Sequence, residues 1–281
     1  MTEREGTVDF SRYDDTVEQL TDILQNRLGG VGIKSAIFFG SSTFGGNCFT
    51  EGVSDLDVCA FTDKIRPENY GEILNEVNEN IPHAFLDKPP VVLNDHIAER
   101  VEFYLEFPQV NADITIMAPG LPRLNQVHET AAHDSLELLF ANFYEHSVPF
   151  IGEVPLKDEI ERDFLPFYSD ELRRQRLDTL ASRVEKNNER ARDAIAGGRD
   201  DTLDSIYKSR EYFLKWLFIY NRKYPLSLRK HLKYQFDELL HLPQEEIATL
   251  QFTDGESLTD QAGAYVGLTQ QYLGKYQQER T

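Results

Sequence analysis

Apolar residues near the start of the chain recur with a helical period. In "DTVEQLTDILQNRL", residues 15–28, Val17, Leu20, Ile23, Leu24 and Leu28 form one stripe, with Asp14 or Asp15 placed to cap it and "GGVG" to stop it. Short apolar runs follow. "SAIFFG" ends in glycine and suits a strand covered on both faces, and "LDVCAFT" reads as a second strand. Tyr70, Ile73, Leu74 and Val77 restore a helical stripe over residues 67–80, which the prolines of "KPPVVL" break before another strand. "RVEFYLEF" and "VNADITIMA" are two further strands, and the "PQ" between them, with Asn111 beside it, permits a tight antiparallel connection.

From about residue 121 strand-like runs vanish. "HDSLELLFANFYEHS" sets Leu136, Leu139, Phe140 and Phe143 at helical spacing, and "VPFIGEVP" reads as a connector. Long helices with charged outer faces are expected over residues 170–196, 201–222, 228–241 and 256–278, with "LPQEEIATL" as a short helical turn. The pattern predicts an α+β fold: a first domain of strands with flanking helices, residues 1–149, then an all-α helical bundle, residues 150–281.

Composition narrows the function classes. Across 281 residues, 40% hydrophobic content suffices for a sizeable core. No apolar run approaches the length of a membrane span, and the opening "MTEREGTVDFSRYDD" is acidic where a signal peptide is basic and then apolar, so a cytoplasmic protein without a membrane partner is expected. Cys48 and Cys59 are too few for a disulfide framework and read as reduced thiols. Asp and Glu outnumber Lys and Arg 48 to 29, a formal charge of -19, which repels a nucleic-acid backbone and argues against gripping duplex nucleic acid. The same acidity also suits a protein adapted to high salt.

The candidate chemistry lies in "IFFGSSTFGGNCFTEGVSDLDVCAF", residues 37–61. On a strand, residues two apart share a face roughly 7 Å apart, so Asp55 and Asp57 project side by side while Leu56 and Val58 turn inward. Paired carboxylates repel one another unless a hard divalent cation such as Mg²⁺ neutralises them. Two such ions about 3.5–4 Å apart can clamp the attacking and leaving oxygens of a phosphoryl transfer. A third carboxylate is wanted. Asp113 in "NADITIM" stands on a strand opposite in facing to Ile114 and Ile116, and Glu102 on the preceding strand competes for the role. Gly40 and Ser41, with Ser42 beside them, end the first strand where backbone and hydroxyl could meet a phosphate.

Gly40-Ser41, thirteen intervening residues and Asp55-Leu56-Asp57-Val58, led by apolar Phe39, resemble the signature of the DNA polymerase beta-type nucleotidyltransferase superfamily. The resemblance implies a nucleotidyltransferase-type mixed β-sheet, Mg²⁺ held by Asp55, Asp57 and a third aspartate matched by Asp113, and transfer of a nucleoside monophosphate from a nucleoside triphosphate such as ATP, releasing pyrophosphate. A catalytic half, a "FIG" segment at residues 150–152 and a helical second half are similar to small-molecule nucleotidyltransferases of the aminoglycoside-modifying kind. That likeness implies a small-molecule acceptor bearing a hydroxyl, and an acidic site would favour a cationic one. In such relatives a carboxylate of the helical region serves as base; Glu137 and Glu145 are candidates here by position. Two alternatives remain open: modification of a protein or RNA partner, as by minimal antitoxin-like nucleotidyltransferases, and a catalytically idle nucleotide-binding module. A homodimer is also left open.

Other patterns carry less. "HETAAH" spaces His128 and His133 by five residues, so they diverge by about 140° on a helix and make no metal pair. "RLNQVH", Arg123 to His128, has the spacing of small helical ribonucleases but sits directly after the strands. The aromatic helix around Trp216 reads as core, and the basic cluster Arg222, Lys223, Arg229, Lys230, His231 and Lys233 as a solvated helix face.

Overall fold

The computed structural model describes residues 8–45, 48–86, 88–94, 99–118, 135–154, 170–197, 202–227, 229–252 and 257–280. These divide into two compact units, the first reaching residue 154 and the second beginning at residue 170 among the described residues.

In the first unit, Asp9 caps a 3-10 turn, Phe10–Tyr13, by accepting from the backbone N–H of Ser11. The chain enters α1 (Asp14–Asp22) directly from this turn and leaves through a π-helical turn, Ile23–Arg27. Leu20, Ile23, Leu24 and Leu28 are buried, so the stripe read from the sequence is the inward face. Strand β1 (Ser35–Phe39) leads into a four-residue helix, α2 (Ser41–Phe44), and β2 (Leu56–Phe61) follows. Helix α3 (Tyr70–Asn80), preceded by a 3-10 turn, buries Ile73 and Val77. Strands β3 (Val91–Asn94), β4 (Glu99–Leu105) and β5 (Ala112–Met117) complete the predicted set, and α4 (Ser135–His146) follows.

The stretch expected to be a connector contains a sixth strand, β6 (Val148–Ile151), which pairs antiparallel with β1. Its four residues around a proline carry too little alternation to be recognised alone; pairing with β1 supplies what local pattern lacks. The "FIG" segment therefore belongs to the sheet and to the first unit. The strand order is β3-β4-β5-β2-β1-β6, a mixed sheet in which β2 and β5 are parallel and every other neighbouring pair is antiparallel.

Alternation divides the sheet into two faces. One presents Phe38, Val58, Phe103 and Ile114 to a core shared with the buried residues of α1 and α3. Each such side chain, fully buried, contributes about 1.5–3 kcal/mol. On the other face, Phe39 and Phe61 meet the ring of Phe143 from α4 edge-on at 5.1 and 6.0 Å. Asp57 and Asp113 share that second face by register.

The second unit is helical: α5 (Asp170–Ala196), α6 (Thr202–Tyr220), α7 (Leu232–Tyr234) continuing into a π-helical turn, α8 (Gln244–Gln251) and α9 (Leu258–Glu279). Trp216 is fully buried, stacked between Phe213 at 5.7 Å and Tyr220 at 4.8 Å, as the core reading expects. A buried polar chain ties three helices: Asn188 donates to Thr269 at 2.8 Å, Ser209 donates to Asn188 at 2.6 Å, and Tyr265 shares the Ser209 hydroxyl at 3.0 Å. In the basic cluster, Arg222 pairs with Asp170 and Lys233 with Asp237, as on a solvated, ion-paired surface. Residues 123–133, with "HETAAH" and "RLNQVH", lie outside the described residues, as does the side chain of Glu137.

Candidate active site

Strand register brings the candidate carboxylates together. In the parallel pair, Asp57 of β2 stands opposite Asp113 of β5, neighbours that the sequence separates by 56 positions. Leu56, Val58, Ile114 and Ile116 are all fully buried on the opposite face, so both aspartates must face away from that core. Asp55 precedes the first residue of β2 instead of lying within it; the backbone N–H of Leu56 bonds to the Asn111 carbonyl at 2.8 Å and fixes the strand's entry.

Gly40 shows why glycine ends β1. Its φ of 70° and ψ of -150° belong to a region that side-chain-bearing residues avoid. A Cβ there would lie 2.0 Å from Oδ2 of Asp57 and 2.8 Å from its Cγ. The close approach that the sequence assigned to a phosphate is thus made, in the protein itself, by the Asp57 carboxylate. The Gly-Ser and Asp-x-Asp elements, written apart in the sequence, form one contact.

The two serines separate in role. Ser42 is fully buried and its hydroxyl donates to the Phe39 carbonyl at 3.1 Å, which closes the turn after β1. Thr43 ties the same turn to the Gly40 carbonyl at 3.0 Å. Ser41 is half-buried at the first position of α2 and adjoins Gly40. Of the pair, Ser41 is the one exposed enough to meet a ligand.

The electrostatics of the face are those of crowded acids. Asp113 is solvent-accessible, yet partial loss of hydration raises its pKa above the ordinary carboxylate value, and the charges of Glu102 and Asp55 raise it further. Glu102 stands on β4 beside Thr115 and takes Arg100 as a partner at 2.5 Å, whereas Asp113 is the residue level with Asp57. Glu145 lies at the end of α4, where its Oε2 is 3.6 Å from Nε2 of the buried His146.

One contact gives no sign of itself in the sequence. Tyr104 of β4 is the register partner of Asp113, and its hydroxyl donates to Oδ1 of Asp55 at 2.8 Å. The Asn111 side chain hydrogen-bonds to the same hydroxyl. Burial, the Asp55 hydrogen bond and the Asp55 charge push the Tyr104 pKa up to about 12, against the smaller opposing effect of Asn111, so its proton stays in place at any ordinary pH. The alternation of "RVEFYLEF" puts Tyr104 on the polar face, but only register shows which carboxylate it reaches.

Cys59, two residues beyond Asp57 on the same strand, is fully buried, and burial holds its thiol well above the usual range; Cys48 is also a buried free thiol, pushed up to about 11. Neither is placed for nucleophilic work at neutral pH.

Among the described residues, no group of three or more His, Cys, Asp and Glu side chains is arranged as a ready metal site. The donor chemistry nevertheless fits a hard divalent cation, because the candidates are all carboxylate oxygens. Asp55 acts on Asp113 through its charge and Asp57 is level with Asp113 in the sheet, but among the described residues the three do not close into a cage. No protein-family model and no curated protein matches this chain, so the family likeness rests on the motif and its placement.

Proposed function

We propose that the protein is a Mg²⁺-dependent nucleotidyltransferase that moves a nucleoside monophosphate, AMP from ATP, onto a hydroxyl of a small molecule. The observation that carries the reading is the parallel pairing of Asp57 with Asp113, with Gly40 packed against Asp57. Two carboxylates level with each other on the central strands of a sheet repel, and a bound ligand gives that pairing a purpose that packing alone does not.

Asp55, Asp57 and Asp113 would hold the cations, and bound Mg²⁺ supplies charge neutralisation of the triphosphate and of the carboxylates. Ser41 would donate its hydroxyl to a phosphate oxygen, next to the one residue whose lack of a side chain keeps Asp57 in place. Asp113, level with Asp57 on the neighbouring strand, would take the proton of the acceptor hydroxyl. The new bond joins the acceptor oxygen to the α-phosphorus, and the bond from that phosphorus to pyrophosphate breaks. Net negative charge around the site favours a cationic acceptor, such as an aminosugar.

The test uses Asp57→Ala with radiolabelled ATP, Mg²⁺ and an aminosugar panel. Transfer is expected to fall by at least about a thousandfold while the circular dichroism spectrum is unchanged. Transfer at the wild-type rate would refute the mechanism.

A further inference from the structure

We propose that Tyr104 is a positioning residue of the carboxylate cluster: its hydroxyl takes one oxygen of Asp55 and leaves the other to a divalent cation. The proposal depends on the metal-binding reading above and goes beyond it by assigning a residue outside the motif.

Three strands build the geometry. Tyr104 on β4 is level with Asp113 on β5, which is level with Asp57 on β2. From that row the Tyr104 side chain reaches past β5 to Asp55, at the entry of β2. Asp55 lies outside the strand, so sheet pairing does not orient it; the 2.8 Å bond from Tyr104 does. A tyrosine hydroxyl has one proton, and because the Asn111 amide donates to its oxygen, that proton is directed to Asp55. With Oδ1 so engaged, Asp55 is held against rotation and keeps Oδ2 as its more open oxygen. Hydrogen bonds to a ligating carboxylate commonly set metal affinity in this way, and their loss costs about 10–100-fold.

The experiment measures Mn²⁺ binding by electron paramagnetic resonance on the full chain with a nonhydrolysable nucleoside triphosphate. Wild type, Asp57→Asn, Tyr104→Phe and Asn111→Ala are compared. Alongside, a double-mutant cycle of Tyr104→Phe and Asp55→Asn is followed by urea unfolding in EDTA. Wild type is expected to bind and Asp57→Asn to lose binding. Tyr104→Phe should weaken binding by about tenfold or more. Asn111→Ala, which frees the hydroxyl to turn, should show a smaller loss in the same direction and carries the test should Tyr104→Phe fail to fold. The metal-free cycle should show coupling of about tenfold in the unfolding equilibrium, as for a hydrogen bond to a charged group. Wild-type Mn²⁺ affinity in Tyr104→Phe, or no coupling in the cycle, overturns the positioning role and leaves the metal reading standing. Absence of Mn²⁺ binding by the wild type overturns the metal reading and the positioning role with it.

Discussion

Replacing Gly40 with alanine tests the contact that joins the two halves of the motif. The backbone at residue 40 lies in a region nearly exclusive to glycine, and holding alanine there costs about 1–3 kcal/mol. The added methyl would sit 2.0 Å from Oδ2 of Asp57 and 3.1 Å from its Cβ, so rotating the carboxylate away relieves only part of the overlap. Overpacking of this kind costs about 1–3 kcal/mol more, for a total of about 2–6 kcal/mol. Urea unfolding monitored by circular dichroism gives the value. The diagnostic quantity is the coupling with Asp57→Ala, which removes the atoms at 2.0 and 2.8 Å while leaving the backbone cost. In that background Gly40→Ala should cost at least about 1 kcal/mol less than in the wild type, since residues in direct contact are non-additive. Any stability that Asp57→Ala gains by removing a charge cancels in the cycle. Additivity within about 0.5 kcal/mol would refute the reasoning, since it would mean that Gly40 is required for its backbone angles alone.

Two further outcomes follow from the same geometry. Asp113→Asn should stabilise the protein at pH 7 while abolishing transfer: the folded-state pKa of Asp113 is raised, so its favourable contribution is fully present below the ordinary carboxylate pKa and is lost as pH rises through the folded value. Lost hydration and the charges of Glu102 and Asp55 all oppose ionisation of Asp113, and solvent screens this exposed group, so the gain should be at most about 1 kcal/mol at neutral pH and vanish near pH 3; a variant no more stable than wild type at pH 7 would contradict it. Trp216→Ala should cost about 3–5 kcal/mol by circular dichroism, whereas Trp216→Phe should cost clearly less, because an aromatic ring still fills the site and, among the described residues, the indole Nε1 makes no hydrogen bond; equal losses would contradict this.

Much of this architecture was legible because it is local. The stripe Leu20, Ile23, Leu24 and Leu28 is an amphipathic period that helix geometry alone converts into a buried face. The alternation around Asp57 and Asp113 requires them to face opposite to Val58 and Ile114 once those residues are buried. Strand β6 is not legible in the sequence for the complementary reason: four residues with a proline have little pattern of their own, and only β1 makes them a strand. Ser42, adjacent to Ser41 and chemically identical, could not be told from it by composition; the turn after β1 buries one hydroxyl and leaves its neighbour accessible.

By itself the sequence determined which residues carry charge, which faces are apolar and how the glycine, serine and aspartates are spaced, since these depend on side-chain chemistry and short-range backbone geometry. Tertiary structure decided what meets what. Asp57 stands beside Asp113, Gly40 against Asp57 and Tyr104 on Asp55 because strand order and register bring distant segments level, and pairing between strands is a property of the closed sheet that no one strand contains.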